Sequence, residues 1–197
     1  MRYFIVYVFL IAGCSAVRED ILAHRKEYKD DFLTDPRSPL KKEDLINLDF
    51  YKPISSARVV AKFTTTPKAE PFEMPTYSGV TRSYRKYGEA RFLWDQDSVT
   101  LSIYQNLTLI SNPLYNDYLF LPFKDETNGV TTYGGGRYLN MTKSDTEDGL
   151  ITIDFNKSYN PWCAYSEGFN CPIPPRENHL SFPVNAGEKM YKGEIKH

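Results

Sequence analysis

Arg137 follows three consecutive glycines, an arrangement that can bind an anion. Successive backbone N–H groups at 134–136 can form a concave nest, and a guanidinium adds a planar, two-pronged donor for carboxylate or phosphate. The alternative is structural: a turn that needs a positive φ, with Arg137 paired to Asp125 or Asp154. The segment lacks the Gly-Lys-Ser/Thr ending of a P-loop, so it does not predict nucleotide binding.

Tyrosine and asparagine side chains lie near this turn in the sequence. Together with the turn they predict a pocket that binds a ligand. The predicted ligand is an anionic molecule or a sugar from the cell envelope, such as a sugar acid or a peptide carboxylate. The candidate ligand contacts are Tyr133, Gly135, Gly136, Arg137, Tyr138, Asn156, Tyr159, Asn160 and Tyr165. The alternative is that the tyrosines belong to a β-rich core and that the asparagines bond to backbone beside turns.

Carboxylates near the same segment raise a second hypothesis, hydrolysis of cell-envelope material. Asp154 and Glu188, assisted by Arg137, are the candidates for the acid and base pair that glycoside hydrolysis requires. In a chain with 25 acidic residues, such carboxylates also serve as turn caps and ion-pair partners. The sequence contains neither a Gly-x-Ser-x-Gly elbow nor an HExxH motif, which favours binding over catalysis.

The first thirteen residues predict a secretory signal peptide. Met1-Arg2 supplies a positive charge, and 3–12 is an uncharged apolar run too short to span a membrane as a helix. Ile11-Ala12-Gly13-Cys14 then resembles the bacterial lipobox, in which the Cys14 thiol receives lipid and anchors the protein. The alternative is ordinary cleavage after Ala16. Both predict export, and the first predicts a lipid anchor on a bacterial membrane, facing the periplasm or the cell surface.

Two of the three cysteines remain once Cys14 is assigned to the leader. A pair such as Cys163 and Cys171 in an oxidising compartment normally forms a disulfide. His179 follows at an equal spacing and raises the alternatives of a zinc site or a cysteine nucleophile. The spacing is not that of a compact zinc site, so we predict a disulfide and neither a metal nor a cofactor.

The composition excludes some classes of function. A formal net charge of −1 without a long basic run gives no footprint for nucleic acid. Aromatic residues make up 15% of the chain, and their abundance favours β-strands. After the leader, no second apolar run approaches the length of a membrane span.

The spacing of apolar residues predicts a mainly β fold: a single antiparallel β-sandwich or barrel-like domain with an N-terminal amphipathic helix. The helix is predicted over 18–32, ending before Asp35-Pro36, with a second short helix over 41–47. Strands are predicted at 58–64, 79–87, 89–94, 99–104, 118–123, 136–141, 150–155 and 180–184. The predicted divisions are a signal peptide (1–13), a lipidated cysteine and tether (14–20), a helical segment (21–47) and a β-rich domain (48–197).

Linked short motifs run through the last third of the chain. In order they are LPFKDET (121–127), TYGGGRYL (132–139), DFNKSYNPWCAY (154–165), CPIPP (171–175) and AGEK (186–189). This series resembles the domain-of-unknown-function family 1684 over roughly residues 49–192. The resemblance implies an uncharacterised, mostly bacterial and often exported lipoprotein, and it supplies no activity.

Overall fold

A seven-stranded antiparallel sheet follows one N-terminal helix, α1 (Ile5–Thr34). The structure is a computed structural model that describes the backbone of residues 5–197 and the side chains of residues 17–197. The sheet curls into a half-barrel. The predicted fold, mainly antiparallel β with an N-terminal helix, is therefore confirmed.

The strands are β1 Arg58–Thr65, β2 Phe72–Pro75, β3 Thr81–Trp94, β4 Asp97–Asn106, β5 Tyr118–Phe123, β6 Arg137–Thr142 and β7 Leu150–Asp154. Their order across the sheet is β6-β5-β4-β3-β1-β7, and β2 pairs with one end of β3. Strands β6 and β7 are therefore the two edges of this path. Because the sheet curls, Asn140 of β6 and Asp154 of β7 line the same groove.

The main core lies on one face of the sheet. Buried side chains occur at alternate positions, as in Ala61 and Phe63 of β1 or Ile151 and Ile153 of β7. This follows from the two-residue period of an extended strand. A second cluster, centred on Phe32 of α1, packs the helix against the C-terminal segments through Leu40, Leu48, Ala164 and Tyr165.

Gly88 lies inside a single strand, so the prediction of two strands separated by this glycine is wrong. The pairing of β3 with β4 shifts register between Lys86 and Gly88, which marks a bulge. A Cβ at Gly88 would lie 2.3 Å from the ring of Phe63. Glycine at this position therefore permits close packing while the strand continues.

The predicted strand at 180–184 is absent from the described sheet. Leu180 N donates to Lys124 O, and Val184 N donates to the carboxylate of Asp125. The segment is apolar because it covers the core, and its backbone groups bond to scattered partners. Strand β2, which the sequence did not predict, is short and ends at Pro75.

Helix α1 ends at Thr34, before Asp35-Pro36 as predicted, because proline disfavours helical backbone at the residue before it. Its buried anchors include Ile21 and Phe32. The predicted signal peptide and the lipidation of Cys14 lie outside the residues whose side chains the structure describes. Across the described residues, no helix has the combination of length and apolar character that crossing a membrane requires.

Candidate functional site

A groove of about 1110 Å³ runs between α1 and the two edges of the sheet. Strand β6 contributes Leu139–Met141, and β7 contributes Thr152 and Asp154. The aromatic side chains on its walls are Tyr28, Phe32, Tyr115, Tyr159 and Trp162, and charged groups of both signs lie between them. Concave sites with aromatic walls and a few placed polar groups are typical of small-molecule binding.

Helical spacing explains which face of α1 lines the groove. His24, Tyr28 and Phe32 follow at intervals of four, so they lie one above the other on a single helix face. Phe32 anchors this face in the second core cluster, and Tyr28 packs against Tyr159 at 5.8 Å between ring centroids. The helix thereby places two aromatic rings beside the edge of β6.

Asp154 is the most unusual polar group in the groove. It is only 7% exposed, and its Oδ1 accepts hydrogen bonds from the backbone and side-chain nitrogens of Asn156 at 3.0 and 2.8 Å. Its Oδ2 has no hydrogen-bond partner among the described residues, and Arg58 Nε lies 3.7 Å away. A buried carboxylate oxygen without a donor is costly, so this atom is suited to receive a donor from a ligand.

Charged groups of both signs lie near Asp154 at one end of the groove. Arg58 lies opposite Asp154 in the pairing of β1 with β7. Asp20 of α1 bridges Lys157 at 3.0 Å and Arg58 at 3.6 Å. Burial lowers the pKa of His24, so its ring is neutral at pH 7. This end therefore offers a carboxylate acceptor beside two cationic donors.

Asn140 and Tyr159 form the polar part of the β6 wall. The hydroxyls of Tyr159 and Tyr118 both donate to Asn140 Oδ1. Burial raises the pKa of Tyr159, so its hydroxyl stays protonated. The two tyrosines hold the Asn140 amide in place at the edge of the groove.

Arg137 is fully buried and paired with Asp125, which is the structural alternative for this residue. Its Nη2 lies 2.7 Å from Asp125 Oδ2 and donates to Val184 O, while its Nη1 donates to Ala186 O. The guanidinium therefore ties the C-terminal segment to β6 and has no exposed surface to offer a ligand.

The glycines before Arg137 form a turn and do not form an open nest. Gly136 has φ +96°, and a Cβ there would lie 2.7 Å from Phe123 O. Gly135 is buried and accepts a hydrogen bond from Tyr77. Tyr138 packs on Phe120 and donates to Pro172 O, and Tyr133 packs in the second core cluster.

The other predicted contacts divide between the groove and the interior. Tyr159 lines the groove. Asn156 is buried and exchanges two hydrogen bonds with the backbone of Ile54. Asn160 and Tyr165 are buried beside Glu188: Asn160 N donates to its carboxyl group, and the Tyr165 hydroxyl lies 2.7 Å from Oε1. The structure therefore brings together Asp154 and Tyr159 from the predicted set.

The arrangement predicted for hydrolysis does not form an accessible site. Arg137 and Glu188 are both 0% exposed, and only Asp154 of the three lines the groove. Glycoside hydrolysis needs two carboxyl groups that flank the scissile bond. A substrate in the groove reaches one of the two predicted carboxylates.

Cys163 and Cys171 form the predicted disulfide, with Cα atoms 6.3 Å apart. His179 Nε2 lies 3.0 Å from Pro174 O. Among the described residues, the hydrogen bonds of the two cysteine sulfurs do not involve His179. Within the described part of the chain, no cluster of histidine, cysteine and carboxylate side chains has metal-binding geometry.

Several groove residues escaped the sequence reasoning: Tyr28, Arg58, Asn140 and Trp162. The four-residue spacing of Tyr28 and Phe32 was the available signal, and it predicts an amphipathic helix without indicating a groove. No local sequence pattern marks Asn140 or Arg58, because each reaches the groove only through the curl of the sheet.

The fold and groove define the class of protein: a small antiparallel half-barrel whose sheet edges and N-terminal helix enclose a groove. Residues 43–189 match the model of the family described as protein of unknown function (DUF1684), and the chain belongs to that family. The resemblance predicted from the motifs is confirmed, and its bacterial and lipoprotein features stay predictions.

A solved structure extends the likeness over nearly the whole chain. The solution NMR structure of an uncharacterized protein from Haloarcula marismortui matches with a TM-score of 0.70 and 31% identity. The match covers 90% of this chain and 96% of that one. No curated protein matches the sequence.

Proposed function

We propose that this chain is a lipid-anchored, extracytoplasmic binding module that takes a sugar-like ligand in the groove between α1 and the sheet edges. The observation that carries the binding proposal is Asp154 Oδ2, a buried acceptor without a donor that belongs to the groove wall. A sugar hydroxyl supplies the missing donor, and its oxygen can accept from Arg58 or Lys157 beside it.

The groove walls suit the rest of such a ligand. Tyr28, Tyr159 and Trp162 supply aromatic surface next to polar groups, so one molecule can pack its apolar face and bond its hydroxyls. Both signs of charge occur at the Asp154 end, which accommodates neutral sugars and sugar acids. Hydrolysis is the weaker alternative, because Glu188 and Arg137 are buried away from the groove.

Titrating the full chain with N,N′-diacetylchitobiose and with galacturonic acid tests the groove. We expect NMR shift changes at the amides of Asn140, Asp154 and Tyr159. Asp154→Asn removes the charged acceptor and is expected to weaken binding about tenfold, the effect of losing a charge-assisted hydrogen bond. Asp95→Asn, at the tip of the β3–β4 hairpin, is the control and leaves affinity unchanged. Absent shifts at 10 mM, roughly the limit for weak specific binding, would contradict the proposal.

The lipid anchor rests on the leader alone: a charged start, an apolar run and the small residues before Cys14. Mass spectrometry of the mature N-terminus in a bacterial host tests it. We expect a chain that starts at Cys14 and carries acyl groups, because two or more acyl chains give stable membrane attachment. An unmodified chain that starts at Val17 overturns the anchor and leaves export intact.

A further inference from the structure

Glu188 lies at the centre of a closed hydrogen-bond ring that joins α1 to the rest of the domain. Its carboxyl oxygens lie 2.9 Å from the hydroxyl of Tyr28 and 2.7 Å from the hydroxyl of Tyr165. The two hydroxyls lie 2.9 Å from each other. The ring thus has three contacts between three groups, and Asn160 N donates into it from outside at 2.8 Å.

Counting protons shows which state of Glu188 fits this geometry. With an ionised carboxylate the ring holds two protons, one on each tyrosine, so one of the three contacts joins two oxygens without a proton. A protonated carboxyl supplies the third. Glu188 then donates to Tyr165, Tyr165 donates to Tyr28, and Tyr28 donates back to Glu188, which still accepts from Asn160.

We propose that the carboxyl group of Glu188 carries this third proton below neutral pH, and that its loss loosens α1 from the domain. Tyr28 is the member of the ring that belongs to α1, and it also lines the groove. Opening the ring therefore acts on the helix that forms one groove wall. The proposal concerns helix docking and holds whether or not the groove binds a sugar.

The surroundings of Glu188 support a bound proton. The residue is 0% exposed, and burial raises the pKa of its carboxyl group to about 7. Burial also raises the pKa of Tyr28 and Tyr165 well above the ordinary value, so both hydroxyls keep their protons.

Other titratable groups lie near the ring, but none of them supplies its third proton. Arg25 of α1 donates to Tyr51 O, and Arg137 is paired with Asp125 while its Nη1 contacts the backbone carbonyl of Glu188. Both cations favour an ionised carboxylate, but neither bonds to it. Tyr159 and Tyr191 pack against Tyr28 and Tyr165 respectively, and neighbouring Lys189 pairs with Asp49.

The titration of Glu188 can be followed directly in the full chain by ¹³C NMR of labelled glutamate carboxyl groups. Glu188→Gln assigns the signal through its disappearance. We expect a midpoint near pH 7 for Glu188. A midpoint below pH 5, roughly the range of an ordinary glutamate, overturns the proposal.

Hydrogen exchange of the α1 amides, corrected for the intrinsic effect of pH on exchange, tests the link to the helix. Protection in the wild-type chain is expected to fall about tenfold from pH 6 to pH 8.5, the effect of one lost buried hydrogen bond. Glu188→Gln keeps the ring closed, because its amide donates as the protonated acid does, and its protection stays constant.

Two further variants separate this ring from general effects of pH. Glu177→Gln also alters a tyrosine–glutamate pair, with Tyr104, but away from α1, and it retains the wild-type pH dependence. Tyr28→Phe detaches α1 from the ring with little change in packing and abolishes that dependence. A fall in protection that persists in Glu188→Gln or in Tyr28→Phe overturns the proposal. Loss of sugar binding alone, with the pH response intact, contradicts only the proposed function.

Discussion

Replacing Arg137 by alanine is expected to lower the free energy of unfolding by about 3–5 kcal/mol, because Asp125 then remains as a buried charge without its partner. The substitution also removes the donors to Val184 O and Ala186 O, which lie in the segment that covers the core. Urea denaturation followed by circular dichroism measures the change. A domain of this size is stable by about 5–15 kcal/mol, so the loss is a large fraction of the total.

Two matched variants identify the cause of this loss. Arg137→Lys keeps the charge but cannot reproduce the planar set of donors, and we expect an intermediate loss. The double variant Asp125→Leu with Arg137→Met removes both charges and is expected to recover much of the stability, since apolar pairs often replace buried ion pairs without cost. If Arg137→Ala costs less than about 1 kcal/mol, the ion pair does not hold the C-terminal segment in place.

The strands were largely predictable because their signals are local. Strand β5 runs from Tyr118 to Phe123 as its apolar run predicts. The turn at Asp95-Gln96 joins β3 to β4 through two residues with positive φ, as a tight hairpin requires. The disulfide was also predictable, because an even pair of cysteines in a predicted oxidising compartment indicates it without knowledge of the fold.

The site was less predictable because distant segments form it. Tyr28 and Tyr159 meet in the groove although 131 positions separate them in the sequence. Asn140 and Asp154 belong to opposite edges of the sheet path, and only the curl of the sheet brings both to one groove. The spacing of residues along the sequence does not predict how the sheet curls.

Arg137 shows a different difficulty, because it is a candidate ligand contact in the sequence but is fully buried in the structure. A glycine-rich turn followed by arginine has the same local pattern whether the guanidinium faces a ligand or the core. Asp125, twelve positions earlier, decides the outcome, because it lies at the end of the neighbouring strand and supplies a buried carboxylate. Arg137 therefore joins β6 to Asp125 and to the segment that contains Val184 and Ala186.

The contribution of Glu188 to the free energy of unfolding is expected to fall by about 3 kcal/mol as the pH rises from 4.5 to about 7. The unfolded chain releases this proton near pH 4.5, whereas the folded chain holds it to about pH 7. Between these values the folded state binds more protons, so raising the pH favours unfolding. Below pH 4.5 the contribution is fully present, and above pH 7 the loss is complete.

Glu188→Gln isolates this contribution from the other titrating groups. His24 acts in the opposite direction up to pH 6.5, since burial lowers its pKa and the unfolded chain binds the additional proton. Both chains carry His24, so it cancels when the free energies of unfolding of wild-type and Glu188→Gln are subtracted at each pH. The difference should decline through the window from 4.5 to 7 and then stay constant. A difference independent of pH would mean that Glu188 is ionised in the folded protein, with one contact of its ring lacking a proton.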